Sequence, residues 1–351
     1  MVHVGLDMHK RFSELAVLDD AGAVLDRCKL HHDNPQGMTE YFDSFGGAGT
    51  VTVEATRGWY WLTDMVESRG LAVKLAHPAK VRLIADARIK TDKIDAWVLA
   101  HLERLGFLPE AYIPPQAVRD RRELLRYRLG LVGLSTGLKN RVHALLAKLG
   151  IIPEQTDLFG KAGREFLAGL ELREVYRRVL DGELAVIDFL AAEVKRITAE
   201  LRAALKEDPR AELLRSIPGV GVLTAYLLLA EIGDIGRFPS AKRLCSYAGL
   251  VPRTYASGGR SWQGGITRQG NRYIRYAMVE AAQVATRKDV ALGRFYQRLK
   301  REKGAGKARV AVARKLLVAV YHILQRKEPY RYGHLAKIHL GKPAFVSGHA
   351  E

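Results

Sequence analysis

Four acidic residues in the first part of the chain could act together in metal-dependent chemistry. They are Asp7, Glu54, Asp92 and Asp95. Carboxylate oxygens are the ligands that Mg²⁺ and Mn²⁺ prefer in proteins. Four carboxylates in one pocket repel each other unless metal ions or protons neutralise them, and with metal bound such a pocket could polarise a phosphodiester. An ordinary explanation stays open, since Asp92 and Asp95 could simply cap and begin a helix.

The elements predicted around these residues have a ribonuclease-H-like order. Asp7 ends the first strand, Glu54 lies on the fourth, and Asp92 and Asp95 share one face of a helix because they are three residues apart. The predicted strands are 2–6, 12–19, 23–30, 50–55 and 71–76, and the predicted helices are 36–45, 58–69 and 92–105. A sugar-kinase or actin-like ATPase would also begin with a strand ending in Asp, but it needs glycine-rich phosphate loops that this region lacks.

The charge of the chain predicts a polyanionic partner. The 351 residues carry a formal net charge of +18. Residues 237–315 contain 19 Lys and Arg against three acidic residues, whereas the first hundred residues are close to neutral. Nucleic acid is the usual partner for such a surface, although a generally basic protein without one is the plain alternative.

Other features of the chain exclude several classes of protein. Cys28 and Cys245 are far apart and have no ligands at metal spacing, which argues against a zinc ribbon or a disulfide framework. The N-terminus lacks a secretory pattern, and no apolar run approaches about 20 residues. We therefore expect no membrane partner and a cytoplasmic protein, associated with the nucleoid when active.

The middle of the chain predicts two long helices. Residues 117–149 and about 173–206 read as helices. The first stretch shows apolar spacing of three and four and reads as a coiled-coil-like seam of Leu124, Leu131, Leu138 and Leu145, with Leu134, Val142 and Leu149. Packing or dimerisation is the ordinary role for such helices. The arginines of the first helix favour contact with nucleic acid in addition, and Arg122 and Arg126 are the candidates.

Two further segments could bind or cut nucleic acid. Residues 217–221 (IPGVG) lie between two apolar helices as in a helix-hairpin-helix, where Gly219 and Gly221 would let backbone N–H groups approach a phosphate; an ordinary tight turn is the alternative. Ser257 precedes Gly258-Gly259 in what reads as a flexible loop. A serine hydroxyl among arginines can attack a phosphodiester, although most Ser-Gly-Gly loops are only turns. The neighbouring arginines are Arg253, Arg260, Arg268, Arg272 and Arg275.

Together these motifs resemble the DEDD transposases of the insertion sequence 110 family. The resemblance lies in VGLDMHK, VEAT, KTDKIDA, the stretch LRSIPGVGVLTAYLLLAEIGDIGRF and AGLVPRTYASGGRSWQGGITRQGNRYIR. It covers residues 2–105 and about 211–285 strongly and the helical middle only in general character. It implies a RuvC-like N-terminal domain whose acidic set is Asp7, Glu54, Asp92 and Asp95. It also implies a nucleophilic serine at Ser257, since the nearest competitor, Ser261, does not precede the glycine pair.

The same resemblance implies the partners and the assembly. The family is guided by a structured non-coding RNA that bridges donor and target DNA. It works as a dimer or tetramer in which the acidic site of one subunit meets the serine domain of another.

We therefore expect an α/β plus α protein in four parts. These are a RuvC-like DEDD domain (1–110), a helical coiled-coil or linker domain (111–208), a mainly helical C-terminal transposase domain with the helix-hairpin-helix-like element and the serine (209–330), and a tail (331–351). The expected activity is Mg²⁺- or Mn²⁺-dependent DNA recombination through a 5′-phosphoserine. The alternatives are a RuvC-type, structure-selective endonuclease that uses metal-activated water, and a non-catalytic RNA- or DNA-binding scaffold.

Overall fold

Contacts along the chain separate two units, Met1–Pro114 and Pro115–Glu351. The computed structural model describes residues 1–56, 58–84, 91–206, 208–257 and 260–331. The tail predicted for 331–351 lies almost wholly outside the described residues.

A mixed six-stranded sheet forms the centre of the N-terminal unit. The strands are β1 (Val2–Met8), β2 (Phe12–Leu18), β3 (Val24–His31), β4 (Gly49–Glu54), β5 (Ala72–Ala76) and β6 (Glu110–Ala111). Their order across the sheet is β3-β2-β1-β4-β5-β6. β1, β4 and β5 pair in parallel, whereas β2, β3 and β6 pair with their neighbours in antiparallel fashion. This arrangement is consistent with the ribonuclease-H-like order predicted from the sequence.

Helices cover both faces of this sheet. α1 (Pro35–Asp43) and α2 (Trp59–Glu67) pack on one face and α4 (Asp92–Arg104) lies against the other, whereas the short α3 (Pro78–Ile84) has no buried residue. Alternate residues of the central strands, such as Leu6 and Val53, form one core with Phe42 of α1 and Leu62 of α2. The other face of β1 lies against α4, where Gly5 approaches the backbone of Ala96.

The predicted elements of this unit agree closely with the observed ones, with three differences. β1 continues to Met8, so Asp7 lies inside the strand rather than at its end. The short α3 and the two-residue β6 have too few residues for a recognisable apolar period.

The second unit is mainly helical and contains one β-hairpin. Its helices are α5 (Gln116–Lys148), α6 (Lys161–Ala168), α7 (Glu174–Leu205), α8 (Pro209–Arg215), α9 (Val222–Ile232), α10 (Ala241–Tyr247), α11 (Arg272–Lys288), α12 (Val290–Lys303) and α13 (Ala305–Arg326). The hairpin consists of β7 (Pro252–Ser257) and β8 (Arg260–Ile266). The segment that reads as a flexible loop in the sequence is therefore mostly two paired strands.

The two long helices pack in opposite directions. The guanidinium of Arg128 on α5 donates to the hydroxyl of Thr198 on α7 at 2.7 Å, and Arg141 farther along α5 pairs with Glu183 nearer the start of α7. Leu131 lies in this interface, whereas Leu134, which the predicted seam includes, is 61% exposed. The packing of the two helices confirms their length and position, and a coiled-coil geometry stays a prediction.

Two hydrophobic cores support this unit. One core joins the first half of α5 and the second half of α7 to helices α8–α13. The other lies at the opposite end of the helix pair, where α6 packs with Val142, Leu146 and Leu180. The first core crosses the boundary predicted at 208/209, and the predicted division into functional domains stays a prediction. No helix among the described residues is both long enough and apolar enough to cross a membrane.

Candidate active site

The sheet brings Asp7 and Glu54 to the same edge. Leu6 on β1 lies opposite Val53 on β4 in a parallel pair, so Asp7 and Glu54 are the next residues along the two strands. On its other side, Asp7 lies opposite Glu14 of β2. The carboxyl ends of parallel strands meet at one edge, which is where the two predicted acidic residues are found.

The start of α4 brings the second pair of acids to β1. The hydroxyl of Thr91 caps this helix by accepting a hydrogen bond from the N–H of Ile94 at 3.3 Å. Asp92 and Asp95 follow in the first turn, where carboxylates are stabilised by the helix dipole. The capping role considered for Asp92 therefore belongs to Thr91, whereas the first-turn role is real for both acids and coexists with a position beside Asp7.

Gly5 permits this approach of α4. A Cβ atom at Gly5 would lie 1.9 Å from the carbonyl oxygen of Ala96 and 2.5 Å from the backbone nitrogen of Ala100. Both are backbone atoms of α4, which cannot move aside like the end of a side chain. A glycine at this position of β1 is thus what lets the acidic end of α4 lie against the acidic end of β1.

A histidine that the sequence analysis did not single out lies between the acids. His9 Nε2 is 3.2 Å from Asp7 Oδ2 and 3.1 Å from Asp92 Oδ2. The ligand atoms of these three residues all lie within 4.8 Å of one another. His9 Nε2 is inaccessible to solvent and, among the described residues, has no partner at hydrogen-bonding angles. Its two-residue spacing from Asp7 was the only sequence signal.

The electrostatics of the cluster suit a bound cation. Burial raises the pKa of Asp7; His9 opposes this rise, and the nearby charges of Asp95 and Asp92 add to it. A buried carboxyl next to two others is poorly stabilised as an anion without a positive charge. The carboxylate oxygens suit Mg²⁺ or Mn²⁺, and the imidazole nitrogen beside them is a donor that a transition-metal ion such as Mn²⁺ accepts more readily than Mg²⁺ does.

The structure brings the four predicted acids together to different degrees. Asp7 and Asp92 belong to the close group with His9. Asp95 lies near enough to raise the pKa of Asp7, and Glu54 is the last residue of the neighbouring strand β4. Neither Asp95 nor Glu54 belongs to the group within 4.8 Å.

The candidate serine lies at the turn of the hairpin. Ser257 is the last residue of β7 and is directly opposite Arg260, the first residue of β8. Residues 258–259 lie outside the described residues, and so do the side chains of Ser257, Arg260 and Ser261. Arg253, at the other end of β7, is exposed.

Three arginines follow the hairpin in different environments. Arg268 is exposed and has a φ of +55°, and Arg272 is exposed at the start of α11. Arg275 is half-buried, and its Nη1 atom donates to the carbonyl oxygens of Ala248 and Arg268 at 3.1 and 3.2 Å. Arg275 thus holds the backbone on both sides of the hairpin.

Comparison with known proteins gives the family. A family model described as Transposase IS116/IS110/IS902 family matches residues 211–297, and a second, a model of DEDD transposases of IS110 described as Transposase, matches residues 4–151. The 43.6 kDa protein of insertion element IS110 from Streptomyces coelicolor is 36% identical to this chain over 92% of its length and 94% of the relative's. The chain belongs to the IS110 family of transposases.

Other relatives agree with this assignment. The transposase for insertion sequence element IS1111A of Coxiella burnetii is 25% identical over 94% of this chain and 91% of its own length. The pilin gene-inverting protein of Moraxella bovis is 30% identical over 80% of this chain and 81% of its own. Membership of the family makes this protein a DNA recombinase of the transposase type, and the acidic cluster is its candidate divalent-metal site.

Two arginines predicted to contact nucleic acid are engaged inside this transposase. Arg122 is buried and donates to the carbonyl oxygens of Ala230 and Glu231 at 2.8 and 2.9 Å. Arg126 binds both carboxylate oxygens of Glu231 at 2.9 Å. The amide of Asn271 donates to the same carboxylate at 2.7 Å. Sequence spacing alone could not pair residues 105 positions apart.

The glycines of the IPGVG segment also differ from each other. Gly219 has a φ of +88°, and a Cβ there would lie 2.4 Å from the carbonyl oxygen of Ala281 on α11. Gly221 is exposed and has no atom within 4 Å of such a Cβ. Gly219 therefore serves close packing of α11, and Gly221 keeps an open backbone at the start of α9.

Proposed function

We propose that this transposase is an Mg²⁺- or Mn²⁺-dependent recombinase that cuts donor and target DNA and exchanges their strands through Ser257. Family membership supports the reaction class. The observation that carries the metal part is the convergence of Asp7, His9 and Asp92 within 4.8 Å beside a ribonuclease-H-like sheet. Glu54 and Asp95 complete the proposed acidic set.

The proposed reaction is a phosphodiester transfer onto the serine. The hydroxyl oxygen of Ser257 attacks the scissile phosphorus, a P–O bond to the serine forms, and the bond to the 3′ oxygen breaks. The 3′ oxygen leaves as a hydroxyl, and the 5′ end stays on the protein as a phosphoserine. The new phosphoserine ester conserves the free energy of the broken phosphodiester bond, so strands can rejoin without a nucleoside triphosphate. A divalent ion held by the acidic set would supply charge stabilisation at the phosphate oxygens.

Basic residues near the hairpin are proposed to hold the DNA backbone. Arg253, Arg260, Arg268 and Arg272 are the candidates in this group, and Gly221 offers an open backbone for a phosphate. Arg122 and Arg126 are left out because their donors bind Glu231 and nearby carbonyls. Arg275 and Gly219 are assigned supporting roles. Affinity for nucleic acid should fall steeply with salt.

A guide RNA is part of the proposal and rests on the family resemblance. In this proposal, a structured RNA from the same element pairs with donor and target DNA and selects the sites. Two observations test it: RNA that copurifies with the protein, and a structured RNA in the flanking DNA with loops complementary to the element junction and the insertion site. Protein that recombines DNA after complete removal of RNA would contradict this part.

A homo-oligomer, dimer or tetramer, is also proposed. One face of α7 carries exposed apolar residues at helical spacing, Val175, Val179, Val186 and Phe189, and Phe189 is 70% exposed. A second copy of the chain would cover such a stripe. Mixing an Asp7→Ala protein with a Ser257→Ala protein tests subunit cooperation, because mixed oligomers would regain activity only if one subunit supplies the acids and another the serine.

Replacing the serine separates the proposal from its nuclease alternative. We expect Ser257→Ala to abolish strand transfer and the covalent protein–DNA adduct on a denaturing gel. Ser261→Ala is the matched control, since it changes a serine of the same hairpin and should retain both. A nuclease that uses water would keep cutting with Ala at 257. DNA binding by Ser257→Ala should be unchanged.

Replacing the acids separates an enzyme from a binding scaffold. Asp7→Ala and Glu54→Ala should each remove cleavage while leaving nucleic-acid binding in place. Retention of transposition by both variants would favour a non-catalytic scaffold. Addition of a chelator should reproduce the loss in the unmodified protein, and an excess of Mg²⁺ should restore activity.

A further inference from the structure

Two exposed aromatic rings lie stacked on the hairpin that carries Ser257. Tyr255 of β7 is directly opposite Trp262 of β8. Their ring centroids are 5.5 Å apart with an interplanar angle of 17°. Tyr255 is 46% exposed and Trp262 is 58% exposed. Large aromatic side chains that remain this exposed in a pair are candidates for contact with a ligand.

The register relates this pair to the proposed nucleophile. Ser257 lies two positions after Tyr255 on the same strand, and Arg260 lies two positions before Trp262. Alternate positions of a strand belong to one face, with a rise of roughly 7 Å for two residues. The positions of the serine, its opposite arginine and the two rings therefore share one face of the hairpin, about one nucleotide apart.

The surroundings of the pair suit nucleic acid better than a protein core. Neither ring belongs to a hydrophobic core of the described residues. Gly264, beside the pair, offers no side chain, and a Cβ there would lie 3.5 Å from the ring of Tyr255. The exposed Arg253 precedes Tyr255 on the same face. Aromatic rings together with arginine are the combination that binds unpaired strands, because every base has a π face.

We propose that Tyr255 and Trp262 form a stacking platform for an unpaired DNA base next to the phosphate that Ser257 attacks. The inference rests on the proposed role of Ser257. The inference adds the ligand, which is a base that has left the duplex stack. It also adds the way this base is held, by stacking that does not depend on the DNA sequence. A base held on the platform keeps its strand from reannealing and fixes the backbone beside the serine.

The test uses a fluorescent base as the probe. A single-stranded oligo-dT with one central 2-aminopurine is titrated with the full-length protein, and stacking on an aromatic ring quenches its fluorescence. The unmodified protein should quench the single strand and not the same base in a duplex. Trp262→Ile and Tyr255→Ile keep strand propensity and lose the ring, and each should weaken binding about 5- to 150-fold. Trp262→Phe and Tyr255→Phe should restore most of the affinity.

The outcomes distinguish this inference from the proposed function. Ser257→Ala protein should quench the probe as the unmodified protein does, so a loss of the serine chemistry would leave the platform intact. Lack of quenching by the unmodified protein would overturn the inference, and this result does not depend on whether the variants fold. Equal binding by the Ile and Phe variants would overturn it too. Quenching of an oligo-rU probe that matches or exceeds that of the DNA probe would assign the pair to RNA instead.

Discussion

Gly5 on β1 lies directly under the carbonyl oxygen of Ala96 on α4, and an added Cβ would be only 1.9 Å from that oxygen. This contact sets the distance between the strand that carries Asp7 and the helix that carries Asp92. A single missing methyl group thus determines whether the acidic residues converge.

Gly5→Ala should displace α4 and weaken the metal site. Overpacking against backbone should destabilise the N-terminal unit by about 1–3 kcal/mol or more. Trp59, Trp61 and Trp97 lie in this unit, so their fluorescence can follow its unfolding. Gly133→Ala is the control, because no atom lies within 4 Å of a Cβ there and Ala favours a helix. Normal Mn²⁺ binding by Gly5→Ala would contradict this role.

Asp7→Asn should stabilise the metal-free protein. Burial raises the pKa of Asp7, so the folded state favours the protonated carboxyl and loses stability as the pH rises through this range. A neutral amide removes that loss at neutral pH, and we expect a melting temperature a few degrees higher. Mn²⁺ at a concentration 100 times its Kd should raise the free energy of unfolding of the unmodified protein by about 2.7 kcal/mol. Asp7→Asn should lose this gain and the rise in melting temperature that goes with it. A metal-dependent rise that survives in Asp7→Asn would argue against the site.

His9→Ala should change the metal preference of the site. Imidazole nitrogen suits Mn²⁺ better than Mg²⁺, whereas carboxylates accept both. We expect affinity for Mn²⁺ to fall about 10- to 100-fold, with a smaller loss for Mg²⁺. Calorimetry or the electron paramagnetic resonance of Mn²⁺ measures this without any DNA. His32→Ala is a control that should leave binding unchanged, since His32 lies just after β3 and is hydrogen-bonded to Ser13.

Glu231→Gln should loosen the support of the hairpin. Glu231 is fully buried and binds Arg126 through both oxygens, and it accepts from Asn271, which caps α11 just after the hairpin. Removing one partner of a buried ion pair typically destabilises by about 3–5 kcal/mol. Glu193→Gln is the matched control, since Glu193 makes the same two-bond pair with Arg196 on an exposed surface. Equal melting temperatures for the two variants would contradict a structural role for Glu231.

Acidification should destabilise the N-terminal unit in the range where histidine titrates. Burial lowers the pKa of His101, with Arg104 adding to the effect, and burial also lowers that of His32. The unfolded chain then binds more protons, so this stability is fully present only well above the unfolded pKa of about 6.5 and falls as the pH drops through 6.5 toward the lowered values. The fluorescence-detected melting temperature should fall between about pH 7.5 and 5.5. His101→Gln should flatten this dependence, and an unchanged slope would exclude His101 as its source.

The strands and helices around the acidic residues could be read from the sequence because their patterns are local. Apolar residues in runs of strand length identify β1, β2 and β4, and the helix predicted from residue 92 begins where α4 does. The elements missed were short or lacked a period, such as α3 and α6. The sequence predicted a loop at Ser257, whereas Ser257 is the last residue of β7 and pairs with Arg260. The prediction missed this because the composition of one strand does not reveal its pairing with another.

The sequence by itself determined the charge balance, the family motifs and the four acidic candidates, since these depend on residue type and short spacing. Only the tertiary structure decided which polar groups meet. It placed His9 between Asp7 and Asp92 and stacked Tyr255 on Trp262. It also bound Arg122 to the backbone at Glu231 and Arg126 to the carboxylate of that residue. The physical reason is that such contacts depend on strand register and on the close approach of helices, which join residues from distant parts of the chain.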